Sequence, residues 1–105
     1  MMIAVDSDKG KGFGFTSDKW EDDSYLWMDE ANRRVLLSLV IARYPGKGAL
    51  TDLIKSIEVL GLKVAVPCPL AQMKAILRKW DFRPNEEWSD ATGEPIDVWE
   101  RNPII

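Results

Sequence analysis

The segment Arg43-Tyr44-Pro45-Gly46-Lys47-Gly48 gathers residue types suited to holding an anion. Its two glycines let backbone approach a ligand closely, and Lys47 adds a full positive charge. A helix beginning just after it would contribute free amide N–H groups and a partial positive charge. That combination suits a pyrophosphate. The segment is not a Walker loop, because Gly46-Lys47 is followed by glycine rather than Ser or Thr. It is not a dinucleotide fingerprint either, since no third glycine packs the helix. A plain tight turn from strand to helix accounts for the same residues, and both readings stand. A second cluster, Gly10-Lys11-Gly12-Phe13-Gly14, precedes no helix and reads as a hairpin or twisted strand.

The proton carriers are few. The chain holds no His and one Cys in 105 residues, so Ser-His-Asp and Cys-His catalysis are excluded, as is every His-containing metal site. A single Cys also forbids an internal disulfide or a cysteine-cluster metal site. Cys68, between two prolines, reads as a buried structural thiol, because no His lowers its pKa. Carboxylates and tyrosines remain. Glu30 (with Asp29) lies just ahead of an apolar strand and is the candidate general base. A solvated turn is its ordinary role. Tyr44 is the candidate hydroxyl beside the loop, with packing as its ordinary role, and Tyr25 is a weaker acid candidate. Five Trp are many for this length. Trp80 and Trp99 suit the core, whereas Trp20, Trp27 and Trp88 stand among acids and could line an acceptor groove or an interface.

The formal net charge of −3 conceals a pattern. Residues 1–34 hold eight acids and five bases, residues 35–83 three acids and eight bases, and residues 84–105 six acids and Arg101 alone. The segments carry −3, +5 and −5, a basic middle between acidic flanks. Solvated helix faces would explain this, as would an anion site with an acidic rim. The acidic flanks disfavour nucleic acid. No apolar run approaches the ~18 residues of a membrane span. Met1–Ala4 is too short for a signal peptide, so a cytoplasmic protein without a membrane partner is expected.

The elements that must position these residues follow from periodicity. Residues 10–15 and 24–28 read as strands, with a turn over Glu30–Arg33. Val35–Ala42 is a continuous apolar run suited to a strand buried on both faces. Leu50, Leu53, Ile54, Ile57 and Leu60 recur at helical spacing, and Gly61 stops that helix. Leu62–Val66 is the next strand. Leu70, Met73, Ile76 (or Leu77) and Trp80 mark a second helix, ended before Pro84. Glu87-Trp88, a turn over residues 91–95 and Ile96–Glu100 complete a β-β-β-α-β-α-β-β order. One compact domain over residues 1–105 is expected, of α+β (mixed α/β) class, with a mixed sheet and a parallel strand–helix–strand unit at residues 35–66.

These residues resemble the Gcn5-related N-acetyltransferase (GNAT) superfamily over about residues 35–84. Arg43-x-x-Gly46-x-Gly48 fits its Arg/Gln-x-x-Gly-x-Gly/Ala cofactor motif. In a second register, Pro45 to Ile54 lies over the family's Arg-Gly-Lys-Gly-Ile-Gly-x-x-Leu-Leu pattern. Gly46, Lys47, Gly48 and Leu53 then match, while Pro45 replaces Arg and Leu50 replaces Gly. Residues 70–83 are similar to the helix that ends in the family's Tyr-x-x-x-Gly-Phe signature. Phe82 matches, Asp81 replaces the Gly, and Leu77 stands where the Tyr would supply a general acid.

The resemblance implies acetyl-CoA, or another acyl-CoA, held by Val40, Ile41, Ala42, Arg43, Gly46, Lys47, Gly48, Ala49 and Leu50. Pantetheine would run between splayed strands near 40–43 and 64–67, with pyrophosphate on the loop amides. The basic middle would face the cofactor, and the acidic flanks a cationic amine acceptor. Only 34 residues precede the buried strand and they show no apolar helical stripe, so no counterpart of the family's two acceptor-covering helices is expected in them. An open acceptor site follows, suited to a protein lysine or to a homodimer partner that completes it. The expected activity is acyl transfer to an amine. The alternative is a catalytically silent GNAT-like interaction or inhibitor module that binds a basic protein surface.

Overall fold

A computed structural model describes residues 1–103. Its chain order is β1 (Met2–Ala4), α1 (Asp8–Gly12), β2 (Tyr25–Asp29), β3 (Arg34–Leu39), α2 (Ala49–Glu58), β4 (Lys63–Pro67), α3 (Ala71–Lys79), β5 (Arg83–Ser89) and β6 (Glu94–Arg101). The six strands form one mixed sheet in the order β1-β2-β3-β4-β6-β5. Among the described residues only β3 and β4 run parallel, joined by the α2 crossover. The fold class is therefore α+β with a mixed sheet, and the strand–helix–strand unit lies where the apolar periodicity placed it.

Strand alternation sorts the side chains into two faces. Leu26, Val35, Leu37, Val64, Val66 and Trp99 point to the helix face, where they bury against Leu53, Ile54 and Ile57 of α2 and Leu77 of α3. Phe13, Phe15 and Trp20 close the same core from the N-terminal segment, with the Phe15 and Trp20 ring centroids 5.7 Å apart. Glu58 is buried in this layer and is held by both outer nitrogens of a fork, Nε and Nη2 of Arg101, at 2.9 and 2.8 Å. That fork ties α2 to β6.

Three expectations are corrected. Residues 10–15 form no strand. Ser7 caps α1 by accepting from the Gly10 amide at 3.1 Å, and a Cβ at Gly10 would stand 2.6 Å from the Ala4 carbonyl oxygen. Glycine is there for close approach to β1, not for a hairpin. Trp20 is buried rather than lining a groove. Cys68 is exposed, at a positive φ of 46°, rather than buried.

The open face has two unlike halves. On the β4-β6-β5 side, Glu87 of β5 reaches Arg34 of β3, three strand positions away. Strands lie ~4.8 Å apart, so that contact requires the β5–β6 ribbon to coil over the face. The coiling accounts for the burial of Ala65 and Val98, which point to this side. Among the described residues the β1-β2-β3 half has no such cover.

Candidate functional site

The parallel ladder between β3 and β4 has three registered pairs, Arg34 with Lys63, Val35 with Val64 and Leu36 with Ala65. Both strands continue past it with other partners. Beyond Leu36, β3 pairs Leu39 with Tyr25 of β2, while β4 pairs Val66 and Pro67 with Trp99 and Val98 of β6.

The chain after β3 stays extended, and its hydrogen bonds run to one side. The Glu21 amide donates to the Ile41 carbonyl at 2.9 Å, the Arg43 amide to the Lys19 carbonyl at 2.8 Å, and the Ile41 amide to Ser24 Oγ at 2.9 Å. Alternate residues of an extended chain present their N–H and C=O to opposite edges. Val40 and Ala42 therefore turn theirs away from residues 19–24, toward the side of β4. Among the described residues neither makes a hydrogen bond there. Across the interval, the Cys68 amide donates to the Asp97 carbonyl of β6 at 2.8 Å. By the same alternation Pro67 faces the interval, and it has no N–H to give.

The interval leads to the glycine loop. Gly46 and Gly48 have φ of 82° and 80°, the left-handed region that glycine adopts at little cost. A Cβ at either would meet no protein atom within 4 Å, so their outer side is open. Gly48 caps α2 without a side-chain bond, and the first amide donating back is Asp52 to the Gly48 carbonyl. The amides of Ala49, Leu50 and Thr51 are left for solvent or a ligand. Lys47 forms no ion pair among the described residues. Tyr44, Lys47 and Ala49 line a cleft of about 160 Å³ with Asp18, Lys19 and Asp52.

The nine positions expected to hold a cofactor thus divide. Gly46, Lys47, Gly48, Ala49 and Leu50 meet at the loop and helix start. The side chains of Val40, Ala42, Ala49 and Leu50 pack against the core, so these residues offer backbone only. Ile41 points outward at 41% exposure. Arg43 is engaged elsewhere. Its Nε donates to the Ser17 carbonyl at 2.7 Å and its Nη2 to the Trp20 carbonyl at 3.2 Å, and it pairs with Glu21 and Asp22. Of the two catalytic candidates, Tyr44 is beside the loop. Glu30 is in the turn at the far end of β3, a full strand of about 20 Å away. The structure does not bring Glu30 and Tyr44 together.

Arg34 is the residue that sequence reasoning missed. It is buried on the open face, with Nε on Asp29 at 2.9 Å and Nη1 and Nη2 on Glu87 at 2.8 and 2.7 Å. Nη1 also donates to Glu100 at 3.0 Å. Hydrogen bonds from Arg34 hold the Glu87 carboxyl below its ordinary range, and those from Asn32, then Arg34, do the same for Asp29. The carboxylates raise the Arg34 pKa in turn. The acidic C-terminal segment with its single base was the available signal, because so many carboxylates imply a cation from elsewhere in the chain.

Family models, curated proteins and solved structures provide no match to this chain. No helix among the described residues is long and apolar enough to cross a membrane.

Proposed function

We propose that the protein is an acyl-CoA-dependent N-acyltransferase of GNAT type. The observation that carries this reading is the unpaired backbone edge at Val40 and Ala42, set where the parallel β3–β4 ladder ends and running into the Gly46–Gly48 loop. Unpaired backbone is uncommon in folded chains and calls for a partner. A pantetheine arm has two amides and could take the place of a strand. The free amides of the α2 N-terminus, with Lys47, fit a pyrophosphate.

Acetyl-CoA, when bound, supplies an activated thioester. The residues of this chain would then hold and orient it. The edge amides at Val40 and Ala42 would pair with the arm and polarise the acyl carbonyl under attack by a neutral amine. Leu77, which stands where the family has a Tyr, is buried in the core, so solvent must protonate the departing thiolate. With Glu30 a strand length away, the amine proton goes to water or to a carboxylate brought by the acceptor. The buried Leu77 also favours a second reading, a GNAT-like module without turnover.

Isothermal titration with acetyl-CoA tests the assignment. Binding is expected, and a Gly46→Glu variant should lose it, because a carboxylate would then occupy the open side of the loop. Absence of binding to the unaltered protein at millimolar acetyl-CoA overturns the assignment. Binding without acetyl transfer to polylysine or to polyamines selects the module.

A further inference from the structure

The β1-β2-β3 half of the open face is an apolar surface with no cover among the described residues. In register across the strands lie Met2, Trp27 and Leu36, with Leu39 opposite Tyr25 one step further on. Met2 is 57% exposed, Trp27 46% and Leu39 39%, and Ile41 continues the row. Single exposed apolar residues are ordinary, but a contiguous patch of this kind marks an interaction surface. The same strands bury their other face completely against the helices and the Phe13–Trp20 segment, so a second layer on this side is the missing half of a familiar arrangement.

The shape and charge of the patch specify what covers it. Three strands span ~10–14 Å, the diameter of one α-helix with its side chains. One end of the patch is acidic. Glu21 pairs its backbone with Ile41, and Asp22 and Asp23 follow it before β2. Arg43 offsets part of that charge, at 3.3 Å from Glu21 and 3.6 Å from Asp22. Asp23 has no ion pair among the described residues. The opposite end, at Asp29–Arg34, has its carboxylates committed to the Arg34 cluster. We infer that this half-face docks a cationic amphipathic helix of a partner protein, its apolar stripe on Trp27, Met2 and Leu39 and its basic side chains toward Glu21–Asp23. Trp27, central and broad, is the anchor. The inference uses none of the loop amides and stands whether or not acyl-CoA binds.

The test uses the full chain and a synthetic 18-residue peptide of leucine and lysine at amphipathic helical spacing, with its scrambled sequence and a leucine–glutamate version as controls. The patterned lysine peptide should bind about tenfold more tightly than either control, and its affinity should fall with added salt. Trp27→Ser should weaken it about tenfold. Asp23→Lys, at an exposed position that leaves the apolar patch intact, should weaken it several-fold and flatten the salt dependence. Equal binding of all three peptides, or binding indifferent to both substitutions, overturns the inference. So does a concentration-dependent dimer in sedimentation that Trp27→Ser abolishes, because the patch would then belong to a second copy of this chain.

Discussion

The two ends of the β3–β4 pair differ sharply in how their polar groups are satisfied. At the start of the ladder, one guanidinium makes five N–H donors available to three carboxylates drawn from β2, β5 and β6. At the other end, the backbone of Val40 and Ala42 and the first turn of α2 have no partner among the described residues. The same two strands therefore carry a closed end that holds the sheet together and an open end that can accept a ligand. Satisfied, charge-assisted bonds give rigidity, and unpaired donors give a place to bind. A rigid closed end also fixes the spacing of the open one, because both lie on the same strands.

Removing the clamp should have the largest effect. Arg34→Ala leaves Asp29, Glu87 and Glu100 crowded, with the Lys63 ammonium 3.8 Å from Glu100 left to offset them, and should cost about 3 kcal/mol of unfolding free energy. In a domain of this size that lowers Tm by roughly 10–20 °C, readable by calorimetry. An unchanged Tm would show that the β5–β6 ribbon is held by packing alone.

Acid should loosen the same end next. Asp29 and Glu87 have folded pKa values below their ordinary 3.8 and 4.5, so their contribution is complete above about pH 5. It is lost as pH falls through the folded values, where the native state must take up protons it binds weakly. Urea unfolding at pH 7, 4 and 2.5 should show a falling midpoint, and Arg34→Ala should flatten that fall.

Substitutions at the open end should separate binding from stability. Gly46→Glu places a side chain at φ 82° and should cost only ~1–2 kcal/mol, yet reduce acetyl-CoA affinity at least about tenfold. Lys47→Ala should be smallest, with no change in Tm and a loss of a few-fold in affinity that vanishes at high salt. Equal losses of stability and affinity in both variants would make the two ends alike and remove the contrast.

Much of this molecule was legible locally. The 3.6-residue spacing of Leu53, Ile54 and Ile57 and the apolar runs at 35–42 and 62–66 identify α2, β3 and β4, because burial of one stripe or one run is encoded within a few residues, although β3 stops at Leu39. The left-handed glycines of the loop were likewise marked by type. β1 was not legible, since three residues carry too little pattern. The fold of residues 10–15 was misread because Ser7 competes locally for the Gly10 amide.

The sequence alone determined the absence of histidine chemistry, the charge segregation, and the order of the central strand–helix–strand–helix unit. These depend on composition or on near neighbours. Only the tertiary structure decided which charges are free. Arg43 and Lys47 look equivalent in the chain, yet Arg43 is neutralised by residues 17–22 and Lys47 is left exposed. Arg34 finds Glu87 and Glu100 across 53 and 66 residues, and Glu30, the candidate base toward the acceptor, lies a strand length from the loop. Pairings at that separation arise from strand order and sheet coiling, which no local pattern of residues carries.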